Sequence, residues 1–188
     1  MRAAPGDVMP AARRMFLRTG SLEMRALARD LGIGRATLYR WATSREALLD
    51  EVLADLGPAN LRRCEGDVDT PPGAARFVDV HDLHLRRITG NPHFRSFLAA
   101  EPRLARQLLL SADGRVHRAA AAALADLIRR QEEASGWRCP LGAESFAAVV
   151  SQMSEAFMYG DLIAGKQPDV VTPTVVLRLM LGLDHRGA

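Results

Sequence analysis

The 188-residue sequence predicts an all-α fold. Three observations lead there. Apolar residues recur at i, i+3, i+4 and i+7 in one segment after another, no run alternates with the period of two that strands require, and short clusters of Gly, Pro, Asn and Asp punctuate the segments. Hydrophobic residues make up 48% of the chain, ample for a core, and no internal repeat divides it.

Taken in order, residues 1–7 are expected to form a flexible arm, with Arg2 within reach of a minor groove. Met24, Leu27, Ala28 and Leu31 then place one apolar stripe on a short helix and leave Arg25, Arg29 and Asp30 outside it. Gly32-Ile33-Gly34 reads as a sharp turn, with Ile33 plugged between this helix and the next. The second helix, Arg35 to about Trp41, has Leu38 as its inward residue. Arg35, Ala36, Thr37, Tyr39, Arg40 and Trp41 share its outer face and ends. Small residues at the start of a helix, with hydrogen-bonding, basic and aromatic residues beside them, suit entry into a DNA major groove. Ser44 is placed to cap a further helix that runs to about Arg63 and that Gly57-Pro58 could bend.

Thr37-Leu38-Tyr39, a short spacer and Ser44-Arg45-Glu46-Ala47-Leu48-Leu49, preceded by a Leu27-Ala28 helix and a Gly turn, resemble the TetR family of transcriptional regulators over residues 8–55. The resemblance implies a homodimer that binds a palindromic double-stranded operator. Residues 1–55 would form a three-helix helix-turn-helix DNA-binding domain and residues 56–188 a helical effector-binding and dimerisation domain. It also places Arg25 at the start of the positioning helix, puts Arg35, Ala36, Thr37, Tyr39, Arg40 and Trp41 along the recognition helix, and makes Arg45 a phosphate contact. Two positions depart from the pattern: Ala42 stands where many members have Phe, and Glu23-Met24 where Thr or Ser is usual. Leu38-Tyr39-Arg40-Trp41 together with Tyr159-Gly160-Asp161-Leu162-Ile163-Ala164-Gly165 and Pro168-Asp169 also resembles a QsdR-like subgroup, regulators connected with lactone signal degradation.

Charge is uneven. Residues 1–45 carry nine Arg against Asp7, Glu23 and Asp30, a formal +6, whereas the whole chain is +3, so the remainder sums to −3. A basic head on a mildly acidic body is the electrostatic footprint of a protein whose one end meets nucleic acid. Cys64 and Cys139 are isolated, which predicts inert thiols in a reducing cytoplasm and no zinc site. No run reaches the roughly 18 apolar residues of a membrane span, so a soluble, cytoplasmic protein is expected.

Gly66 to Gly73, with the Pro71-Pro72 pair, reads as a linker, and helices are expected over about 73–89, 94–110, 114–135, 142–164 and 172–183. His81 and His84 lie on an otherwise apolar face with Phe77 and Ile88, and His117 lies beside Ala121, Leu124 and Ile128. A buried imidazole is costly without a partner, so each is either a core histidine bonded to backbone or Asp, or part of a ligand pocket. In the pocket reading, His81, His84 and His117 donate to a carbonyl or hydroxyl while Phe77, Phe94, Phe97 and Leu108 provide an apolar wall, which fits an acyl or lactone-like effector. Metal binding by His81, His84 and Asp82 is weaker, because the Asp points elsewhere on the helix.

By itself the stripe Phe146, Val149, Val150, Met153 and Phe157, followed by Val176, Leu179 and Met180, fits either an internal core or a subunit contact; taken with the TetR resemblance it is expected to supply two helices to a four-helix dimer interface. These features predict a ligand-responsive repressor with no cofactor, released from DNA when a small, mostly apolar effector shifts the body. Two alternatives stand beside it: a dimeric DNA-binding regulator without a ligand, and a helical hydrolase using His81 or His84. No Gly-x-Ser-x-Gly, His-Glu-x-x-His or phosphate loop supports an enzyme.

Overall fold

A computed structural model describes residues 3–111 and 113–183 and is helical throughout them. The order is α1 (Val8–Thr19), α2 (Met24–Asp30), α3 (Arg35–Ala42), α4 (Arg45–Asp67), α5 (Ala74–Thr89), α6 (Pro92–Ala100), α7 (Pro102–Leu109), α8 (Arg115–Ser135), α9 (Ala143–Ile163) and α10 (Val171–Met180). Helices α1 to α3 and the start of α4 form the head. In the body, α8 packs along α4 and α9, α5 lies against α4, and α10 lies against α5.

Within the expected arm, Pro5–Asp7 form a 3-10 turn that leads into α1, and the Asp7 carboxylate accepts from the Ala4 N–H at 2.8 Å. A buried stripe follows: Val8, Ala11, Ala12, Met15 and Phe16 are buried at helical spacing and anchor α1 against α4. The expected contact of Arg2 lies outside the described residues.

Three boundaries differ in the body. The helix expected over 94–110 is two, α6 and α7, meeting at Glu101 (φ −132°, ψ 54°). Pro102 disfavours helical geometry in the residue before it and has no N–H to continue the ladder. Helix α4 runs on to Asp67, through Pro58, so the linker shrinks to residues 68–73, and α10 closes at Met180 ahead of Gly182.

The apolar core falls into two clusters. One joins the head (Phe16, Leu22, Leu27, Leu38, Leu49, Val52) to the near end of the body (Leu85, Phe97, Leu98, Leu109, Tyr159), and the other fills the far end around Phe77, Ile128, Phe146, Val150 and Leu177. Head and body therefore share one of their cores. Gly20 marks the contact: it caps α1 with φ 68°, and a Cβ there would meet the His93 carbonyl of α6 at 2.1 Å.

Candidate functional site

The helix-turn-helix forms as its residues dictate. Leu27 and Leu38 are fully buried between α1, α2 and α3, and Gly32 (φ 65°) turns the chain while Ile33 N–H returns to the Ala28 carbonyl at 3.0 Å. Ile33 packs against the core as a plug. With Leu38 inward, α3 leaves Arg35, Ala36, Tyr39 and Arg40 exposed and Thr37 and Trp41 half-buried, and Arg25 is exposed on α2. Trp41 and Ala42 both pack on the head core, so the indole supports α3 beside the small side chain of Ala42. The step from α3 to α4 is tight: Thr43 has φ 59° and ψ −70°, and Ser44 N–H donates to the Ala42 carbonyl at 2.6 Å, a γ-turn unfavourable for a β-branched residue. Ser44 then caps α4 by accepting from Ala47 N–H.

Arg45 is engaged within the protein. Its Nε donates to the Leu22 carbonyl at 2.7 Å, and its two Nη groups donate to the Glu101 carboxylate at 2.8 and 2.5 Å. The guanidinium fork thus ties the turn before α2, the start of α4 and the α6–α7 break into one knot between head and body. Its pKa is raised, chiefly by the hydrogen bond to Glu101. In this conformation the group expected to meet phosphate is occupied by a carboxylate.

Between head and body lies a cavity of about 210 Å³. Its walls come from both units: Arg13, Phe16 and Leu17 of α1, the Leu53, Leu56–Asn60 and Arg63 side of α4, His84, Arg87 and Ile88 of α5, Phe94 of α6, Leu109 of α7, Val116 and Ala120 of α8, and Tyr159 of α9. A second recess of about 40 Å³ adjoins it, sharing Gly57, Pro58, His84, Ala120 and Tyr159 and adding His81, Ser154 and Glu155. The sequence hollows this space at Gly57-Pro58. A Cβ at Gly57 would meet nothing within 4 Å.

Two donors face this space without a protein partner. Asn60 Nδ2 lies 2.9 Å from His84 Nδ1 and 3.4 Å from the His84 carbonyl. A carbonyl only accepts, so that amide atom is the NH₂ and His84 Nδ1 must accept from it. Burial, reinforced by the neighbouring His81, lowers the His84 pKa to about 3, so the ring is neutral and its proton sits on Nε2. His84 Nε2–H and the Tyr159 hydroxyl have no hydrogen bond among the described residues. Neither is sealed from solvent, since His81 Nδ1 is the one sealed side-chain polar atom there without a partner. Burial, and secondarily the charge of Glu155, pushes the Tyr159 pKa up, so its hydroxyl keeps its proton.

The remaining expected ligand residues are distributed differently. Phe94 and His84 line the larger cavity and His81 the recess, whereas Phe77, Phe97, Leu108 and His117 line neither. Phe77 stacks on His81 and meets Phe146 at a tilt in the far core, and Phe97 and Leu108 belong to the shared core. His117 is paired with Glu155 at 2.9 Å. The aromatic wall missed in the sequence is Phe16 and Tyr159: Phe94 lies 5.9 Å from Tyr159 and 6.3 Å from Phe97, which meets Phe16 edge-on at 5.6 Å. Tyr159 carried a signal, an aromatic on the α9 stripe, but only the fold brings α1 to it.

His81 Nε2 is 3.0 Å from Ser154 Oγ, a pairing a hydrolase would need, but His81 Nδ1 has no carboxylate to orient the ring. No metal-ligating cluster occurs among the described residues, and Asp82 is turned to Arg86 and Thr174. On the expected dimer face, Phe146 and Val150 point into the far core instead, while Val149, Leu179 and Met180 are exposed and Met153, Phe157 and Val176 are half-buried. No helix of the described residues is long and apolar enough to cross a membrane.

Comparison with known proteins bears on this architecture. The chain is similar to the R. erythropolis transcriptional repressor QsdR, of the TetR family, with 24% identity, 98% of this chain and 97% of that one covered, and a TM-score of 0.86. It is also similar to the TetR family repressor AlkX from Dietzia sp. strain DQ12-45-1b, implicated in n-alkane biodegradation (16% identity, 97% and 96% covered, TM-score 0.67). A third similar structure is the transcriptional regulator FadR from Bacillus subtilis in complex with stearoyl-CoA (14% identity, 97% and 100% covered, TM-score 0.51). No curated protein matches the chain. At these identities the structures establish the fold. The family model for the tetracyclin repressor-like C-terminal domain matches residues 72–182, more than half of the chain and nearly all of its body, and with the helix-turn-helix in front of that body the protein belongs to the TetR family of DNA-binding transcriptional regulators.

Proposed function

We propose that this TetR-family protein is a homodimeric repressor released from a palindromic operator by a small, mostly apolar effector such as a lactone or acyl compound, and that it falls in the QsdR-like subgroup. The observation behind the effector reading is the cavity wedged between head and body, apolar in most of its lining yet presenting two unpartnered donors. The subgroup rests on Leu38-Tyr39-Arg40-Trp41 and on the Tyr159–Gly165 segment, whose tyrosine forms part of the cavity wall.

In this reading Arg35, Ala36, Thr37, Tyr39, Arg40 and Trp41 address the major groove and Arg25 the backbone, on the strength of their exposure along α2 and α3. Val149, Leu179 and Met180 meet a second copy, with Met153, Phe157 and Val176 at the edges of that face, because α9 and α10 present these apolar side chains to solvent. Dimerisation places two heads on half-sites about 34 to 36 Å apart. The effector acts by preferring one body conformation: α4 runs unbroken from the recognition unit past the cavity, so a change there moves the heads relative to each other. Coupling of about 1 to 3 kcal/mol suffices for a 5 to 150-fold response. Arg45 contacts phosphate once it leaves Glu101.

The test is fluorescence anisotropy of the purified protein on DNA from immediately upstream of its own gene and on random duplex, at two salt concentrations, with lactones and short acyl compounds added afterwards. Selective, salt-sensitive binding that these compounds weaken supports the proposal. Selective binding that no compound weakens, in the native chain and in Gly57→Leu alike, overturns the effector reading. An Arg35→Ala loss equal on both duplexes removes Arg35 as a base reader.

A further inference from the structure

We infer that the cavity selects uncharged compounds carrying a carbonyl-type acceptor oxygen, received by His84 Nε2–H with the Tyr159 hydroxyl as a second donor. This inference rests on the effector reading above and names the chemistry of that same site. The tautomer is its foundation. Because the Asn60 amide donates to both His84 Nδ1 and the His84 carbonyl, the imidazole offers the cavity a donor and no acceptor. A ligand atom meeting Nε2–H must accept, and a pure hydrocarbon would leave that donor desolvated and unpaired.

Charge separates the acceptors. A carboxylate placed against His84 and Tyr159 would lose its hydration and meet neutral donors there, since burial holds His84 uncharged. Three arginines also line the cavity, but Arg13 is already paired with Asp55 at 3.1 Å and Arg87 with Asp67 at 2.8 Å, and Arg63 is exposed to water, which screens its charge. A lactone, ketone, ester or amide carbonyl satisfies the donors with no such penalty. Size bounds the remainder: a cavity of about 150 Å³ holds benzene, so about 210 Å³ admits roughly eight non-hydrogen atoms.

Three probes of nearly one size separate these factors: γ-caprolactone, its ring-opened carboxylate 4-hydroxyhexanoate, and 2-ethyltetrahydrofuran, which keeps the ring and lacks the carbonyl. By calorimetry on the full chain, the lactone is expected to bind at least tenfold more tightly than either analogue. His84→Phe and Tyr159→Phe each weaken the lactone about tenfold and leave the ether unchanged; Tyr159→Phe, the smaller change, decides the matter if His84→Phe does not fold. Equal binding of lactone and ether, tighter binding of the carboxylate, or a lactone preference that survives both substitutions overturns the inference and leaves the effector reading standing. No binding of any of the three overturns both.

Discussion

Replacing Glu101 by Gln removes the charge that holds Arg45 while preserving shape, and its consequences follow from the geometry of that pair. The native contact is a two-pronged ion pair with distances of 2.8 and 2.5 Å, its side chains 23% and 28% exposed. Charge-assisted hydrogen bonds contribute about 1.5 to 3 kcal/mol, and partial exposure to solvent brings this pair to about 1 to 2 kcal/mol. For a domain of this size each kcal/mol shifts Tm by about 2 to 4 °C, so Glu101→Gln lowers Tm by roughly 2 to 8 °C. The same substitution frees the guanidinium to meet a phosphate. One added phosphate contact steepens the dependence of log K on log salt by about 0.9, measurable by anisotropy titrations on random duplex from 50 to 300 mM salt. A variant that melts lower, binds random DNA more tightly at low salt and shows the steeper slope has a clasp that competes with DNA. If Glu101→Gln matches the native protein in both Tm and slope, Arg45 and Glu101 are not paired in solution and the head is not restrained through them.

Other expectations concern acid stability, assembly and the turn. Burial depresses the His81 pKa to about 4, below its unfolded value of about 6.5, so the unfolded chain binds the proton first. Stability is unaffected by this group above about pH 6.5 and falls as pH drops toward 4, the loss reaching about 2 kcal/mol at pH 5; a His81→Phe variant, followed by urea titration at pH 5 and 7.5, shows a correspondingly smaller loss. Val149→Glu with Leu179→Glu places charges on two exposed apolar positions and is expected to yield a monomer by light scattering with the helical circular dichroism intact; an unchanged dimer would locate the interface elsewhere. Thr43→Gly relieves the positive φ in the turn between α3 and α4, raising stability by about 1 kcal/mol in chemical denaturation.

Much of this molecule is written locally. The α2 stripe, the Gly32 turn and the outward residues of α3 follow from helical spacing and from the left-handed freedom of one glycine, so the exposed side of the recognition unit is legible one residue at a time. The ends of the body helices fail where the decisive residue sits just outside the pattern: Pro102 halves what the apolar spacing presents as one helix. The cavity is the least legible part, because its walls come from seven helices. His81, His84 and Phe77 share one apolar face of α5, yet the packing of α9 decides that Phe77 is core and that His81 meets a serine. Phe16, the ring that closes the cavity from the head, is an ordinary member of the α1 stripe until α6 docks beside it. Nor does anything near Arg45 in sequence announce its partner 56 residues away.

The close approach of Gly20 to the His93 carbonyl limits how this regulator could be re-engineered. Joining the DNA-reading half of one regulator to the sensing half of another presumes a joint that tolerates exchange, and here the end of α1 fits α6 so tightly that a single methyl group would strike the backbone. A hybrid cut after the recognition helix would keep Gly20 but set it against an unfamiliar surface, exposing Phe16 and Leu22 along with it. The unit that transplants intact is therefore larger than the reading head: it includes α6, and with it the Phe94 side of the cavity, so any attempt to redirect this protein to a new DNA sequence is better made by substitution on α3 than by grafting.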